Sequence, residues 1–130
     1  MALYWKDEYS TGVSDIDEQH KVLINNLNKF QEIVKRGDGA AVVAKMFEFL
    51  EKYIHKHFSF EEKWMDKVQC PVADQNKVAH QRFVQAFLSL KQRFEEEGVN
   101  EDLLTKIHTT LETWLLNHIC EIDVQLRESV

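Results

Sequence analysis

The chain has 130 residues, with 16 Lys+Arg against 22 Asp+Glu and a formal net charge of −6. That length encloses one domain core without disulfide staples, and 4 Gly with 1 Pro allow long helices and disfavour a turn-rich β fold. An acidic balance with no basic patch interleaved with aromatics excludes general binding to nucleic acid or to an anionic membrane surface.

The N-terminus, Met1-Ala2-Leu3-Tyr4-Trp5-Lys6-Asp7-Glu8, has neither the basic nor the apolar region of a secretory signal. Residues 1–16 carry Trp5, Tyr9 and Gly12-Val13, and predict an ordered arm across the helices. Ser14 or Asp17 is expected to cap the first helix. That helix is expected over about 18–36, from Leu23, Ile24, Leu27, Phe30, Ile33 and Val34, with Gly37-Asp38-Gly39 as its stop. The second runs over about 40–67, with Val43, Phe47, Leu50, Ile54, Phe58 and Met65, and breaks at Cys70-Pro71. The third covers about 73–96, with Val78, Phe83, Phe87, Leu90 and Phe94, and is punctuated by Gly98 and Asn100. The fourth covers about 101–127, with Leu103, Leu104, Ile107, Leu111, Leu115, Ile119, Ile122 and Leu126. Short connections make neighbours antiparallel, so the expected fold is an all-α, up-down-up-down four-helix bundle, one domain over 1–130. No stretch is apolar for long enough to cross a membrane. Cys70 and Cys120 form no CxxC pattern and are expected to be reduced, small buried hydrophobes in a cytoplasmic protein.

The chemistry lies in the histidines. His20 continues the stripe of Leu23, Ile24 and Leu27, and His57 that of Leu50, Tyr53 and Ile54. His80 shares a stripe with Asn76, Phe83 and Phe87, and His118 with Leu111, Trp114, Leu115 and Ile122. Each helix therefore aims one imidazole inward. Glu61 follows His57 by one helical turn and projects from the same face. Burying imidazoles and a carboxylate in one core is costly unless a cation gathers them. Imidazole and carboxylate donors suit Fe, Zn, Mn or Cu, and no inward cysteine suggests a thiolate zinc site. This reasoning reaches a His-rich metal centre but not the number of ions.

The order of segments is similar to that of the bacterial hemerythrins. Trp5…Tyr9-Ser10-Thr11-Gly12-Val13…Ile16-Asp17-Glu18-Gln19-His20 resembles the family's opening signature. His57-Phe58-Ser59-Phe60-Glu61-Glu62 resembles its HFxxEE segment, and Pro71 is followed by His80. His118-Ile119-Cys120-Glu121-Ile122-Asp123 resembles its HxxxxD ending, so the likeness spans nearly the whole chain. It implies two non-haem irons joined by an oxo or hydroxo group and two carboxylates. His20 and His57 would bind one iron, His80 and His118 the other, and Glu61 and Asp123 would bridge. Asp123 rests on the resemblance alone. Five residues turn a regular helix about 140° away from His118, and Glu121 suits helical geometry better.

One position departs from the family pattern. Its third helix carries HxxxH, and Asn76 stands here where the first of those histidines belongs. Two readings stand: the amide is a weak or water-holding ligand that leaves an iron position open, or it faces away and a water completes the iron. His55 and His108 are expected at the surface, Glu62 as a solvated helix residue, and Trp64, Trp114, Phe58, Phe60 and Phe83 as core that keeps water out. The resemblance implies a dioxygen-binding protein with no catalytic residue, serving transport or storage and accepting small anions such as azide. One alternative is an oxygen- or redox-sensing input domain of a signalling protein, the last helix continuing into an output domain beyond Val130. Another is a di-iron enzyme acting on peroxide, NO or iron, to which Asn76 lends weight.

Overall fold

Glycine or asparagine caps four of the eight α-helix ends of this computed structural model, which describes residues 3–130; the first two residues of the expected arm lie outside it. The helices are α1 (Ser14–Arg36), α2 (Ala40–Lys67), α3 (Ala73–Glu97) and α4 (Glu101–Glu121). At the end of α1, Gly37 takes φ 70°, and the N–H groups of Gly37 and Asp38 donate to the carbonyls of Val34 and Ile33, each at 3.2 Å. This left-handed cap satisfies carbonyls the helix leaves free. Asn100 opens α4 by accepting from the Leu103 N–H at 3.1 Å. Around the ring α1 packs on α2, α2 on α3, α3 on α4 and α4 on α1. That is an all-α four-helix bundle of antiparallel neighbours. Among the described residues no helix is long and apolar enough to cross a membrane.

Two boundaries differ from expectation. The first helix begins at Ser14 rather than 18, and its N-cap residue, Val13, has no side-chain cap. Asp17 reaches back instead: it accepts from the Thr11 N–H at 2.8 Å, the Thr11 hydroxyl at 2.9 Å and the Ser10 hydroxyl at 2.7 Å. Asp17 thus fastens the arm to the first turn. Farther out, Leu3 exchanges two hydrogen bonds with the Asn28 side chain, at 2.9 and 2.8 Å, and Tyr9 is buried.

The second difference lies in the last helix. It does not run on to 127: α4 ends at Glu121, Ile122 takes φ −114° and ψ −59°, and a 3-10 helix covers Asp123–Glu128. The arm crosses this segment closely. A Cβ on Gly12, which has φ 82°, would lie 2.8 Å from Val130 Cγ2 and 3.5 Å from Arg127 Cα, so glycine is required there.

The apolar core falls into two parts. The larger holds Phe30, Phe47, Phe87, Phe94 and Ile107 with the inner leucines of α1, α2 and α4. The smaller gathers Val13, Ile16, Met65, Cys70, Val72, Ile122 and Leu126. His20 lies between Ile16 and Leu23 on α1, and Glu61 between Phe58 and Met65 on α2. A polar layer is therefore sealed between two dry ones.

Candidate metal centre

Four histidines, two carboxylates and one amide make up that layer. His20, Glu61 and Asn76 have no exposed surface, and His57, His80, His118 and Asp123 are buried. Glu61 lies at the centre, with each oxygen facing a different pair of helices. Its Oε2 is 3.1 Å from His20 Nε2 and 3.2 Å from His57 Nε2. Its Oε1 is 3.2 Å from His80 Nε2 and 4.0 Å from His118 Nε2. Asp123 repeats the division, with Oδ2 3.2 Å from His20 Nε2 and Oδ1 3.1 Å from His118 Nε2. The six groups sort into two overlapping sets able to hold a metal ion: His20, His57 and Glu61, and Glu61, His80, His118 and Asp123.

Asp123 reaches this layer because the α-helix has ended. On an uninterrupted helix it would point well away from His118. The kink at Ile122 and the 3-10 helix after it turn its carboxylate inward, while Glu121, the residue that regular geometry favoured, is exposed. Asn76 also points inward. Its Nδ2 donates to Glu61 Oε1 at 3.1 Å, and its Oδ1 accepts from His118 Nε2 at 2.7 Å. The reading in which Asn76 faces away is thereby corrected.

Hydrogen bonding shows what the layer lacks. His57 Nδ1 donates to Gln19 Oε1 at 2.7 Å, and His80 Nδ1 donates to Glu62 Oε2 at 2.8 Å. An ionised carboxylate only accepts, so the His80 proton resides on Nδ1. In the neutral ring, Nε2 is then a bare lone pair aimed at a Glu61 oxygen, and His57 repeats the arrangement. Two electron-rich atoms 3.2 Å apart need a positive charge between them. Both Asp123 oxygens are buried without a hydrogen-bond partner. A set of nitrogen and oxygen donors with no sulfur fits non-haem iron. Neither free cysteine belongs to the layer: Cys70 is buried in the smaller core and Cys120 is exposed, against the expectation that both are buried.

Protons compete for the same positions. Burial depresses the His20 pKa, but the Asp123 and Glu61 carboxylates, 3.2 and 3.1 Å from its Nε2, outweigh it and raise the value to about 10. Burial also depresses His80, where Glu61 and Glu62 prevail and the net shift is upward. At His57 burial prevails and the pKa falls. Burial pushes Glu61 up, yet the surrounding imidazoles hold it well below the usual carboxylate range. A cation entering the layer displaces these protons, so its hold weakens as pH falls.

A model of the hemerythrin HHE cation-binding domain matches residues 11–126. The chain belongs to the hemerythrin family. It is 30% identical to the bacteriohemerythrin of Pseudomonas aeruginosa strain LESB58 over 128 residues, covering 98% of this chain and 81% of that protein. It is 30% identical to the bacteriohemerythrin of Stenotrophomonas maltophilia over 117 residues, covering 90% and 74%. A wild-type hemerythrin crystal structure superposes with a TM-score of 0.83 at 27% identity, covering 95% of this chain and 94% of that one. This is a hemerythrin-family domain of the kind that binds non-haem iron, with a buried His/Glu/Asp cluster able to hold metal.

Within this hemerythrin fold the sequence reading missed three contributors. Glu62 is not simply solvated, because it orients His80 through Nδ1. Gln19 does the same for His57. Neither has a periodicity signal, since each adjoins a buried residue and acts sideways across a helix pair. His108, expected at the surface, is buried, stacked at 6.1 Å on the Phe30 ring. A signal was present there: Leu104, His108, Leu111, Leu115 and His118 are spaced four, three, four and three apart, which makes one helical face. His55 is exposed, as expected.

Proposed function

We propose that this domain holds two non-haem irons and binds dioxygen at them. His20 and His57 would hold one iron and His80 and His118 the other, with Glu61 and Asp123 each offering one oxygen to either ion. The observation that carries the reading is the division of both carboxylates, whose two oxygens each face a different histidine. A single ion would leave half of these donors unused. The whole chain, 1–130, forms one such domain, and its role is binding rather than turnover.

When bound, an iron pair would supply the electrons for reversible binding of dioxygen. The protein supplies orientation and dryness. Gln19 and Glu62 fix the tautomers of His57 and His80 so that each Nε2 faces inward, as second-layer acceptors do for metal-bound histidines. Phe58 stacks on His80 at 3.7 Å with rings 2° from parallel, and Trp114 stacks on His118 at 4.4 Å. These rings lock the imidazoles and shield them from water. Next to the layer lies an apolar cavity lined by Leu23, Ile54, Phe58, Phe83, Trp114 and Leu115, among others, with about 20 Å³ of room for the centre of a water-sized molecule. A diatomic ligand fits there, and the lining offers water no hydrogen bonds.

The test is iron analysis followed by the optical spectrum of the reduced, iron-loaded protein on exposure to air. Two irons per chain and a persistent oxygenated spectrum that reverses under vacuum are expected. One iron per chain, or prompt conversion to an oxidised form that vacuum does not reverse, would remove this reading.

A further inference from the structure

The two halves of the centre are matched in donors, and the match has a chemical consequence. One half offers His20 Nε2, His57 Nε2, Glu61 Oε2 and Asp123 Oδ2. The other offers His80 Nε2, His118 Nε2, Glu61 Oε1 and Asp123 Oδ1. Each half thus has two imidazole nitrogens and two carboxylate oxygens. An ion held by only these four donors would have room for further ligands.

At the His80 and His118 half, Asn76 is the further polar side chain buried against the donors. It contributes an amide, which is a poor competitor for a metal beside imidazole but a good hydrogen-bond donor and acceptor. Its Oδ1 lies 2.7 Å from His118 Nε2 and its Nδ2 lies 3.1 Å from Glu61 Oε1. Both partners are atoms that a bound ion would engage. The amide therefore stands beside that ion with hydrogen-bonding capacity to spare. Its NH2 group suits a small anion, and its complete burial rejects anything large.

We propose that both halves of the centre accept a small exogenous anion, and that Asn76, as a poor metal ligand, leaves the His80–His118 half a position for it and steadies the anion by hydrogen bonding. This rests on the two-iron reading above. The ligand class is compact monoanions of two or three heavy atoms. Azide is the probe.

The experiment takes the iron-loaded, oxidised protein with its iron content measured first, and titrates azide by calorimetry and by its visible charge-transfer band. Two azides per iron pair are expected. Asn76→His should reduce this to one by placing an imidazole in the second position. Asn76→Asp, which is nearly isosteric and tests the same point if the histidine variant folds poorly, should also give one. Asn76→Ala should keep two, with the second weakened about five-fold for a lost hydrogen bond. Two irons with a single azide in the wild type would overturn this inference alone, as would two azides persisting in both Asn76→His and Asn76→Asp. Fewer than two irons would overturn the function proposed above and this inference with it.

Discussion

At one end of the bundle Phe47 meets Phe30 at 5.9 Å, Phe87 at 5.8 Å and Phe94 at 5.2 Å between ring centres, and apolar side chains from all four helices fill the space around them. Toward the other end the same inward stripes carry His20, His57, Glu61, Asn76, His80 and His118. The helices do not change between these regions; only what they bury does. Burial at the aromatic end is favourable by itself, at about 25 cal/mol per Å² of apolar surface. Burial of the polar layer is not, because charge and lone pairs leave water without a full set of partners. The aromatic end thus bears the cost of a site that becomes favourable only with a cation in it.

Metal removal should give the largest effect. An ion that binds only the folded chain stabilises it by mass action, about 4 kcal/mol at a thousand-fold excess over its Kd. Iron-loaded protein stripped by a chelator should melt at least several degrees lower in scanning calorimetry. Equal melting temperatures would mean that the polar layer needs no cation, and the contrast between the ends would collapse.

Truncation at the aromatic end should act differently. Phe47→Ala should cost about 3–5 kcal/mol in urea unfolding, from lost burial and the cavity left behind. It should leave the iron content per folded chain unchanged. A loss of iron in that variant would show that the two ends are not separable.

A smaller change should come from Glu62→Ala. This frees His80 Nδ1 and with it the ring's tautomer and angle, so iron affinity should fall about 10–100-fold in a chelator competition. Thermal stability of the metal-free protein should barely move, because Glu62 is partly exposed. Unchanged affinity would return Glu62 to the role of a solvated helix residue.

Repeating faces made much of this legible in the sequence. The stripes through Leu23–Phe30 and Leu50–Ile54 placed the helices and carried His20 and His57 inward with them. Glu61 followed from one turn of helix. Asp123 did not follow, because its position depends on where α4 stops being α-helical, and the 3-10 helix that then turns it inward packs against the arm at Gly12, far away in sequence. The direction of Asn76 was equally open, since an amide is at home both in water and in a hydrogen-bonded core. Gln19 and Glu62 act across helix pairs, where spacing along one helix carries no information.

His108 sharpens the comparison most, although its effect is the smallest. It is an imidazole in the apolar region, with Nε2 3.4 Å from Glu112 Oε2. Burial lowers its pKa below 6.5, the Glu112 charge and a hydrogen bond to the Leu27 carbonyl act the other way, and Lys35 adds slightly to the lowering. In the unfolded chain the ring titrates near 6.5. As pH falls through that value the unfolded state takes up the proton first, so the unfolded state gains relative to the folded one. The stability His108 permits is therefore complete above about 6.5 and declines below it, by at most about 1.4 kcal/mol for each unit of depression. Between pH 7.5 and 5.5 the wild type should lose more stability to urea than His108→Gln. Titration of the clustered histidines is common to both proteins and cancels in the difference. Equal losses would mean that Glu112 compensates fully for burial. A smaller loss in the wild type would mean that the His108–Glu112 pair holds the proton in the folded state. His20 is buried more deeply still, yet its pKa moves up, because two carboxylates face it rather than one. Between His20 and His108, the number of carboxylates beside the ring, more than its depth, sets the direction of the shift.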